Sequence, residues 1–168
     1  TPAEGVMFPF GWDFSADDIA PVNGLYFILL RPFLSMHQSL MLIVVASIFL
    51  SNISMYWFLR LLHVQKWIAF LGGLIFGFSP FISVRAGAHP SYTALYLFPL
   101  MCIFFLLVNQ SFTKKGKILS ALALGIISAI TVLTNFYYAL MIVIMFCLFI
   151  GYFLFFEKKI FLQYIRKN

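Results

Sequence analysis

The chain has 168 residues, of which 63% are hydrophobic and 10% charged, with a net charge of +6 and a mean hydropathy of +1.01. This composition lies far outside that of soluble domains and excludes a water-soluble enzyme or binding module. The basic residues flank apolar runs and are not interleaved with polar readout residues, which excludes nucleic-acid binding and assigns them to lipid headgroups.

Residues 1–38 form an acidic segment that we interpret as an outer loop. It holds four of the five acids, which are Glu4, Asp13, Asp17 and Asp18. The stretch Phe8–Trp12 before Asp13 is aromatic and turn-prone. Asp17 and Asp18 are consistent with a helix cap, and alternatively with hard oxygen ligands of a divalent cation such as Mg²⁺ or Mn²⁺. No other cofactor is indicated.

A short apolar run, Leu25–Leu34, closes this outer segment. It is too short to cross a bilayer, since a spanning helix needs about 20 residues. We therefore predict a helix that lies in the outer interface, with Tyr26 and Arg31 near the headgroups.

Residues 39–168 are predicted to form an all-α, polytopic transmembrane helix bundle. The apolar runs are Ser39–Leu62, Trp67–Val84, Tyr92–Val108 and Ile118–Phe156. The last run is about twice the ~20 residues that one crossing requires, so we expect it to hold two helices with a break at Thr131–Tyr138. The prediction is about five spans. The chain is expected to be part of a larger protein, with a span before residue 1 and further chain after residue 168.

Small residues at four-residue spacing predict two surfaces for close helix packing. One is Ala69, Gly73 and Gly77, and the other is Ala121, Gly125 and Ala129. Pro99 is predicted to kink the third span. Both cysteines, Cys102 and Cys147, lie inside apolar runs, so they are interpreted as buried hydrophobes without a disulfide or metal.

The charges also predict the topology. Basic residues cluster around 60–66, 114–117 and 158–167, and the positive-inside rule places these loops in the cytoplasm. Residues 1–38, 85–91 and 134–138 then lie outside, and the C-terminal end is cytoplasmic. The predicted location is the cell membrane, with membrane lipids as partners.

Four sequence elements in this order resemble the bacterial GT-C-fold membrane glycosyltransferases, in particular their YfhO-like branch. They are the acidic outer loop Phe8–Ser15, the Gly77–Phe81 segment Gly-Phe-Ser-Pro-Phe, the Gly87–Pro90 segment Gly-Ala-His-Pro, and the Asn135–Tyr138 break. The resemblance implies an enzyme that takes a sugar from a polyprenyl-phosphate donor to a cell-envelope acceptor at the outer face. It also implies a catalytic aspartate in the first outer loop, a position matched by Asp13.

The chemistry of sugar transfer indicates roles for outer residues. A base must take the acceptor proton, which is a role for Asp13, although a solvated loop acid is the alternative from spacing alone. Positive charge must stabilise the departing phosphate, which Arg85 and His89 can supply. Arg85 alternatively extends to the headgroups, and His89 alternatively bonds only the backbone. Asn135 and Tyr137 are predicted to line the substrate cavity.

Two other classes of protein remain open from the sequence. A transporter or lipid flippase would use interrupted helices, for which Ser79–Pro80 and Thr134–Asn135 are candidates. The ionisable residues, however, lie in outer loops rather than at mid-membrane, where transporters place them. A non-catalytic membrane scaffold would account for the packing surfaces, but it leaves the clustered outer acids unexplained.

Overall fold

The computed structural model describes residues 21–88, 90–111 and 113–156. Within these residues the regular structure is entirely helical, which confirms the predicted all-α class. The elements are α1 (Pro21–Leu30), α2 (Met36–Leu61), α3 (Lys66–Gly77), α4 (Pro80–Ala88), a 3-10 turn (Pro90–Thr93), α5 (Leu97–Gln110), α6 (Lys114–Thr134) and α7 (Phe136–Phe156).

Within the described residues, three helical stretches are long and apolar enough to cross a membrane, where about five spans were predicted. They are Met36–Leu61, Lys66–Ala86 and Lys114–Thr134, with 26, 21 and 21 residues. Few of their residues are buried within the protein; in the most apolar part of α6 the buried share is 6%. Long apolar helices with exposed surfaces need a nonpolar solvent around them, so the protein is membrane-associated.

Local polar groups define both ends of α2. At its start, the Ser35 hydroxyl accepts from the Gln38 amide while the Gln38 side chain accepts from the Ser35 amide, a reciprocal capping box. At its end, His63 adopts a left-handed conformation with φ of 62°. The amides of His63 and Val64 donate to the carbonyls of Arg60 and Leu59, which satisfies the last turn. The chain can therefore reverse direction within the connection 62–65.

The first small-residue surface packs as predicted. Ala69, Gly73 and Gly77 are buried where α3 lies against α2. A β-carbon on Gly73 would lie 2.7 Å from the carbonyl oxygen of Asn52, and one on Gly77 would overlap the Asn52 side chain. The two helices approach this closely only because these positions carry no side chain.

The second small-residue surface does not pack as predicted. Ala121, Gly125 and Ala129 are exposed on α6, and an added β-carbon at Gly125 would meet nothing within 4 Å. The prediction was wrong for the described residues because α6 contacts α5 through other faces, including the one that carries Ile127 and Thr131.

The second predicted span is interrupted. α3 ends at Gly77 and α4 begins at Pro80, so the helix that we expected to be continuous over Trp67–Val84 breaks at Phe78 and Ser79. Proline has no amide hydrogen and restricts the residue before it, which explains a break at this point. The Ser79 amide still donates to Phe76, and the Ser83 amide to Ser79, so the two helices remain nearly continuous.

The third predicted span begins later than expected. Tyr92 lies in the 3-10 turn, and α5 starts only at Leu97. Pro99 therefore occupies the first turn of α5, where an amide hydrogen would have no partner within the helix. It does not kink the helix, which corrects the prediction. The predicted break after α6 is confirmed, since only Asn135 separates α6 from α7.

The longer helices lie side by side. α3 contacts α2, α2 contacts α5, α5 contacts α6, and α6 contacts α7. The short α1, which overlaps the predicted interfacial helix, contacts α2 and α6. A buried cluster of Ala94, Leu97 and Tyr138 holds the turn before α5 against the junction of α6 and α7. Both cysteines are free, and Cys147 is exposed rather than buried as predicted, because it lies on an uncovered face of α7.

Candidate functional site

Three of the predicted site residues lie together at one end of the helices, where the turn before α5 meets the α6–α7 junction. Arg85 is in the last turn of α4, Asn135 is the junction residue, and Tyr137 is in the first turn of α7. Tyr92, which was not singled out from the sequence, lies between them. Asp13, Asp17, Asp18 and His89 lie outside the described residues, so their predicted roles stay predictions.

Asn135 shapes the junction through its own hydrogen bonds. Its backbone is extended, with φ of −161° and ψ of 130°. Its side-chain oxygen accepts from the Tyr137 amide at 2.9 Å, which is the usual capping arrangement at a helix start. Asn135 is fully buried, as are Thr131 and Thr134, whose hydroxyls donate to backbone carbonyls one turn earlier. Asn135 therefore positions the first turn of α7, and its predicted role in lining a substrate cavity stays a prediction.

Tyr138 anchors the junction to the turn before α5. Its side chain is fully buried, and its hydroxyl donates to the carbonyl oxygen of Tyr92 at 2.6 Å. The rings of Tyr92 and Phe98 contact it edge-on, with centroid distances of 6.2 and 5.1 Å. Such contacts fix the position of an aromatic ring more narrowly than apolar burial alone. Tyr138 thus determines where Tyr92 lies.

Arg85 is held by aromatic rings. Its guanidinium carbon lies 5.3 Å from the ring centroid of Tyr92 and 5.8 Å from that of Phe81. Both distances are within the range of cation–π attraction. The Tyr92 ring also lies next to the ring of Tyr137, with the centroids 5.8 Å apart. We call Arg85, Phe81, Tyr92 and Tyr137 the Arg85 cluster.

The guanidinium of Arg85 keeps its hydrogen-bonding capacity. It makes ring contacts but no hydrogen bond or ion pair with the described residues. All five acids of the chain, including Glu157, lie outside those residues. Arginine has five N–H donors arranged to bind two oxygens of a phosphate or carboxylate at once. The cluster therefore presents a fixed cation to an anion.

The uncovered aromatic surface of the cluster suits a sugar or a lipid. Tyr137 is 56% exposed and Phe81 is 40% exposed, so their rings are accessible beside Arg85. Among the described residues no group of three His, Cys, Asp or Glu side chains lies close enough to hold a metal ion.

Two residues that organise this site were missed from the sequence alone. Tyr92 was placed inside a span and Tyr138 only within a break. One signal was present: Thr131, Thr134 and Tyr138 follow a helical spacing of three and four residues, and all three are buried. Tyr92 has no comparable local signal, because its position depends on residues 46 positions away.

A comparison with protein families gives a match over nearly the whole chain. A family described as a domain of unknown function, DUF6311, matches residues 2–166. The chain belongs to the DUF6311 family. Neither the curated proteins nor the solved structures include a match to this DUF6311 chain.

Proposed function

We propose that this DUF6311 protein is a membrane-embedded glycosyltransferase that moves a sugar from a polyprenyl-phosphate donor to a cell-envelope acceptor. The observation that carries the proposal is the Arg85 cluster: a cation held by aromatic rings at the ends of apolar helices, with its N–H donors uncommitted among the described residues. A lipid-linked sugar phosphate combines an anion, a sugar and an apolar tail, and each has a complementary surface there.

The proposed topology has five crossings. Residues 1–38, the end of α4 with the following turn, and the α6–α7 junction lie on the outer side, and the C-terminal end is cytoplasmic. The supporting observation is the position of the basic residues in the helices. Arg60 lies at the end of α2, Lys66 at the start of α3 and Lys114 at the start of α6. Arg85 follows at the end of α4 and Asn135 at the end of α6, which is one crossing later in each case.

In the proposed reaction, Asp13 takes the proton of the acceptor hydroxyl as its oxygen bonds to the anomeric carbon of the sugar. The bond between that carbon and the phosphate oxygen breaks, and the polyprenyl phosphate leaves with the bonding electrons. Arg85 stabilises the growing negative charge on the phosphate through paired hydrogen bonds. Asp17 and Asp18 are the proposed ligands if a divalent cation assists.

A test of this function measures sugar transfer from a polyprenyl-phosphate sugar by the full-length protein in proteoliposomes. Asp13→Asn should lower transfer about 100-fold or more, a typical contribution of a general base, while expression and thermal stability stay near those of the wild type. Asp17→Asn and Asp18→Asn should lower transfer less, with partial rescue by added Mg²⁺ or Mn²⁺ if they hold a metal. Full transfer in all three variants would contradict the proposal.

The second candidate is a transporter or lipid flippase. It is favoured by the interruptions at Phe78–Ser79 and at Asn135, because broken helices are a feature of transport sites. The two proposals differ in their product: a flippase moves a labelled lipid across the vesicle without breaking the bond between sugar and phosphate. Chromatography of the labelled product separates them.

A further inference from the structure

An apolar groove runs between α2 and α3, and none of the predicted site residues within the described part of the chain lines it. Its α2 wall includes Val45, Phe49 and Tyr56, which share one face of that helix. The opposite wall includes Phe70 of α3 and Phe78, the residue that follows α3. The groove has a volume of about 670 Å³, within the range of about 300–1,000 Å³ that small-molecule sites occupy.

The groove has the length of one membrane leaflet. It extends along α3 from Lys66 to Phe78, which is about 18 Å at ~1.5 Å per residue. Half of a hydrocarbon core of about 30 Å is ~15 Å, so one extended acyl chain matches the apolar part of the groove.

One end of the groove is positively charged. Among the described residues that line it, Lys66 is the one that carries a charge, and its amine lies 5.6 Å from the ring centroid of Trp67. Tryptophan and lysine at a helix end are typical of the interface between hydrocarbon and headgroups. The nearby Arg60 is already engaged, since its guanidinium donates to the carbonyl oxygen of Val64 at 2.7 Å.

We propose that this groove binds an anionic phospholipid, with one acyl chain between α2 and α3 and its phosphate beside Lys66. The charge of the open end and the apolar length of the groove are complementary to such a lipid. The site is independent of the glycosyltransferase proposal, because it uses none of the residues of the Arg85 cluster.

The composition of the walls favours a lipid over a further helix. Helix contacts within membranes rely on small residues that allow backbones to approach. On α3 those residues already face α2: Gly73 and Gly77 meet Asn52, and a β-carbon on Gly72 would lie 2.5 Å from Leu59. What remains open is a wall of large side chains, of which Trp67 and Phe78 are 65% and 64% exposed. Flexible acyl chains adapt to such an irregular surface.

The chain contains its own fluorescent reporter for this site. It has three tryptophans, of which Trp67 lines the groove and Trp57 lies on α2 outside it. Full-length protein with Trp12→Phe and Trp57→Phe, and with phenylalanine at any tryptophan outside these 168 residues, retains Trp67 as its single tryptophan; the same outer replacements are made in the control. The matched control, with Trp12→Phe and Trp67→Phe, retains Trp57, which is similarly exposed at 60%.

The experiment reconstitutes each protein in phosphatidylcholine vesicles that contain a small fraction of brominated phosphatidylglycerol or brominated phosphatidylcholine. Bromine quenches a tryptophan that it contacts. For Trp67 we expect about fivefold stronger quenching by the anionic lipid. This factor corresponds to the attraction between one lysine and an anionic headgroup, about 1 kcal/mol. Trp57 should be quenched equally by both lipids. Lys66→Gln should remove the preference of Trp67 for the anionic lipid, whereas Lys114→Gln should leave that preference unchanged.

Three results would overturn the proposal. Equal quenching of Trp67 by both lipids would show no selective site. A preference that survives Lys66→Gln would place the headgroup elsewhere. Protection of Trp67 from both lipids would show that protein, either another part of the full-length chain or a second copy, covers the groove.

Discussion

The side-chain amide of Asn52 lies directly over Gly77, where a β-carbon would overlap it. Asn52 also places its backbone carbonyl oxygen against Gly73, one turn earlier on α3. One residue of α2 thus meets two glycines of α3, once through its side chain and once through its backbone. Because a side chain can rotate and a backbone carbonyl in a helix cannot, the two contacts differ in how they respond to substitution.

We expect Gly73→Ala to destabilise the protein by about 2–3 kcal/mol and Gly77→Ala by about 1 kcal/mol, within the range for overpacked sites. Asn52→Ala should largely restore the stability that Gly77→Ala loses, because it removes the side chain that Gly77 meets. It should not restore the stability that Gly73→Ala loses, because the backbone carbonyl of residue 52 remains. Unfolding in mixed micelles with rising SDS content measures the difference. Gly125→Ala is the matched control and should be near neutral, since the space around Gly125 is open. Equal costs at all three glycines would contradict the α2–α3 packing.

A second prediction concerns the two adjacent tyrosines of α7. Tyr138→Phe should cost about 0.5–1.5 kcal/mol of unfolding free energy, because it removes the hydroxyl that donates to the carbonyl oxygen of Tyr92. Tyr137→Phe should change stability little, since that residue is exposed. The same SDS titration compares them. A larger loss at Tyr137 than at Tyr138 would mean that the start of α7 is rotated.

A third prediction separates anion binding by Arg85 from its contact with rings. Arg85→Lys keeps a positive charge but only part of a paired phosphate contact, so we expect it to retain some sugar transfer, while Arg85→Gln retains less. Initial rates in proteoliposomes measure both. Phe81→Leu, which removes one ring contact and keeps the charge, should lower transfer less than Arg85→Gln. Full transfer by well-expressed Arg85→Gln would reduce this residue to a headgroup anchor.

A fourth prediction concerns topology. In a protein with Cys102→Ala and Cys147→Ala, a cysteine introduced by Gly87→Cys should react with a membrane-impermeant thiol reagent from outside the cell, and one introduced by Lys115→Cys should not. Permeabilised cells give the total labelling as a reference. Equal labelling of both positions in intact cells would end the proposed orientation.

Much of the helical layout could be predicted from the sequence, because it follows from local chemistry. The break at Asn135 is present within the apolar run in which it was predicted, whereas the break before Pro80 falls in a span that was expected to be continuous. The glycines of α3 predict a close neighbour, and α2 occupies that place. Whether a small-residue surface is covered, however, depends on a second helix that packs against it. The surface around Gly125 has the same spacing, but among the described residues no helix covers it.

The candidate site was predictable only in part for the same reason. A basic residue at a helix end, such as Arg85, is visible in any sequence. Its placement over Tyr92 depends on a turn that Tyr138 holds from 46 residues away. Long-range hydrogen bonds of this kind leave no periodic pattern in the sequence. Arg85 could therefore be identified from the sequence, but its contact with the Tyr92 ring could not.

The short connections within the helix pairs have a consequence for biosynthesis. Residues 62–65 join α2 to α3, and residues 111–113 join α5 to α6. Pairs of neighbouring helices close small loops, which costs little chain entropy and permits rapid assembly. The α2–α3 pair ends at residue 77 and α5 begins at residue 97, so during synthesis the pair can form before α5 leaves the ribosome. An oversized residue at Gly73 should therefore reduce the yield of inserted protein at this early step, whereas a defect at Tyr138 acts only after α7 has been made.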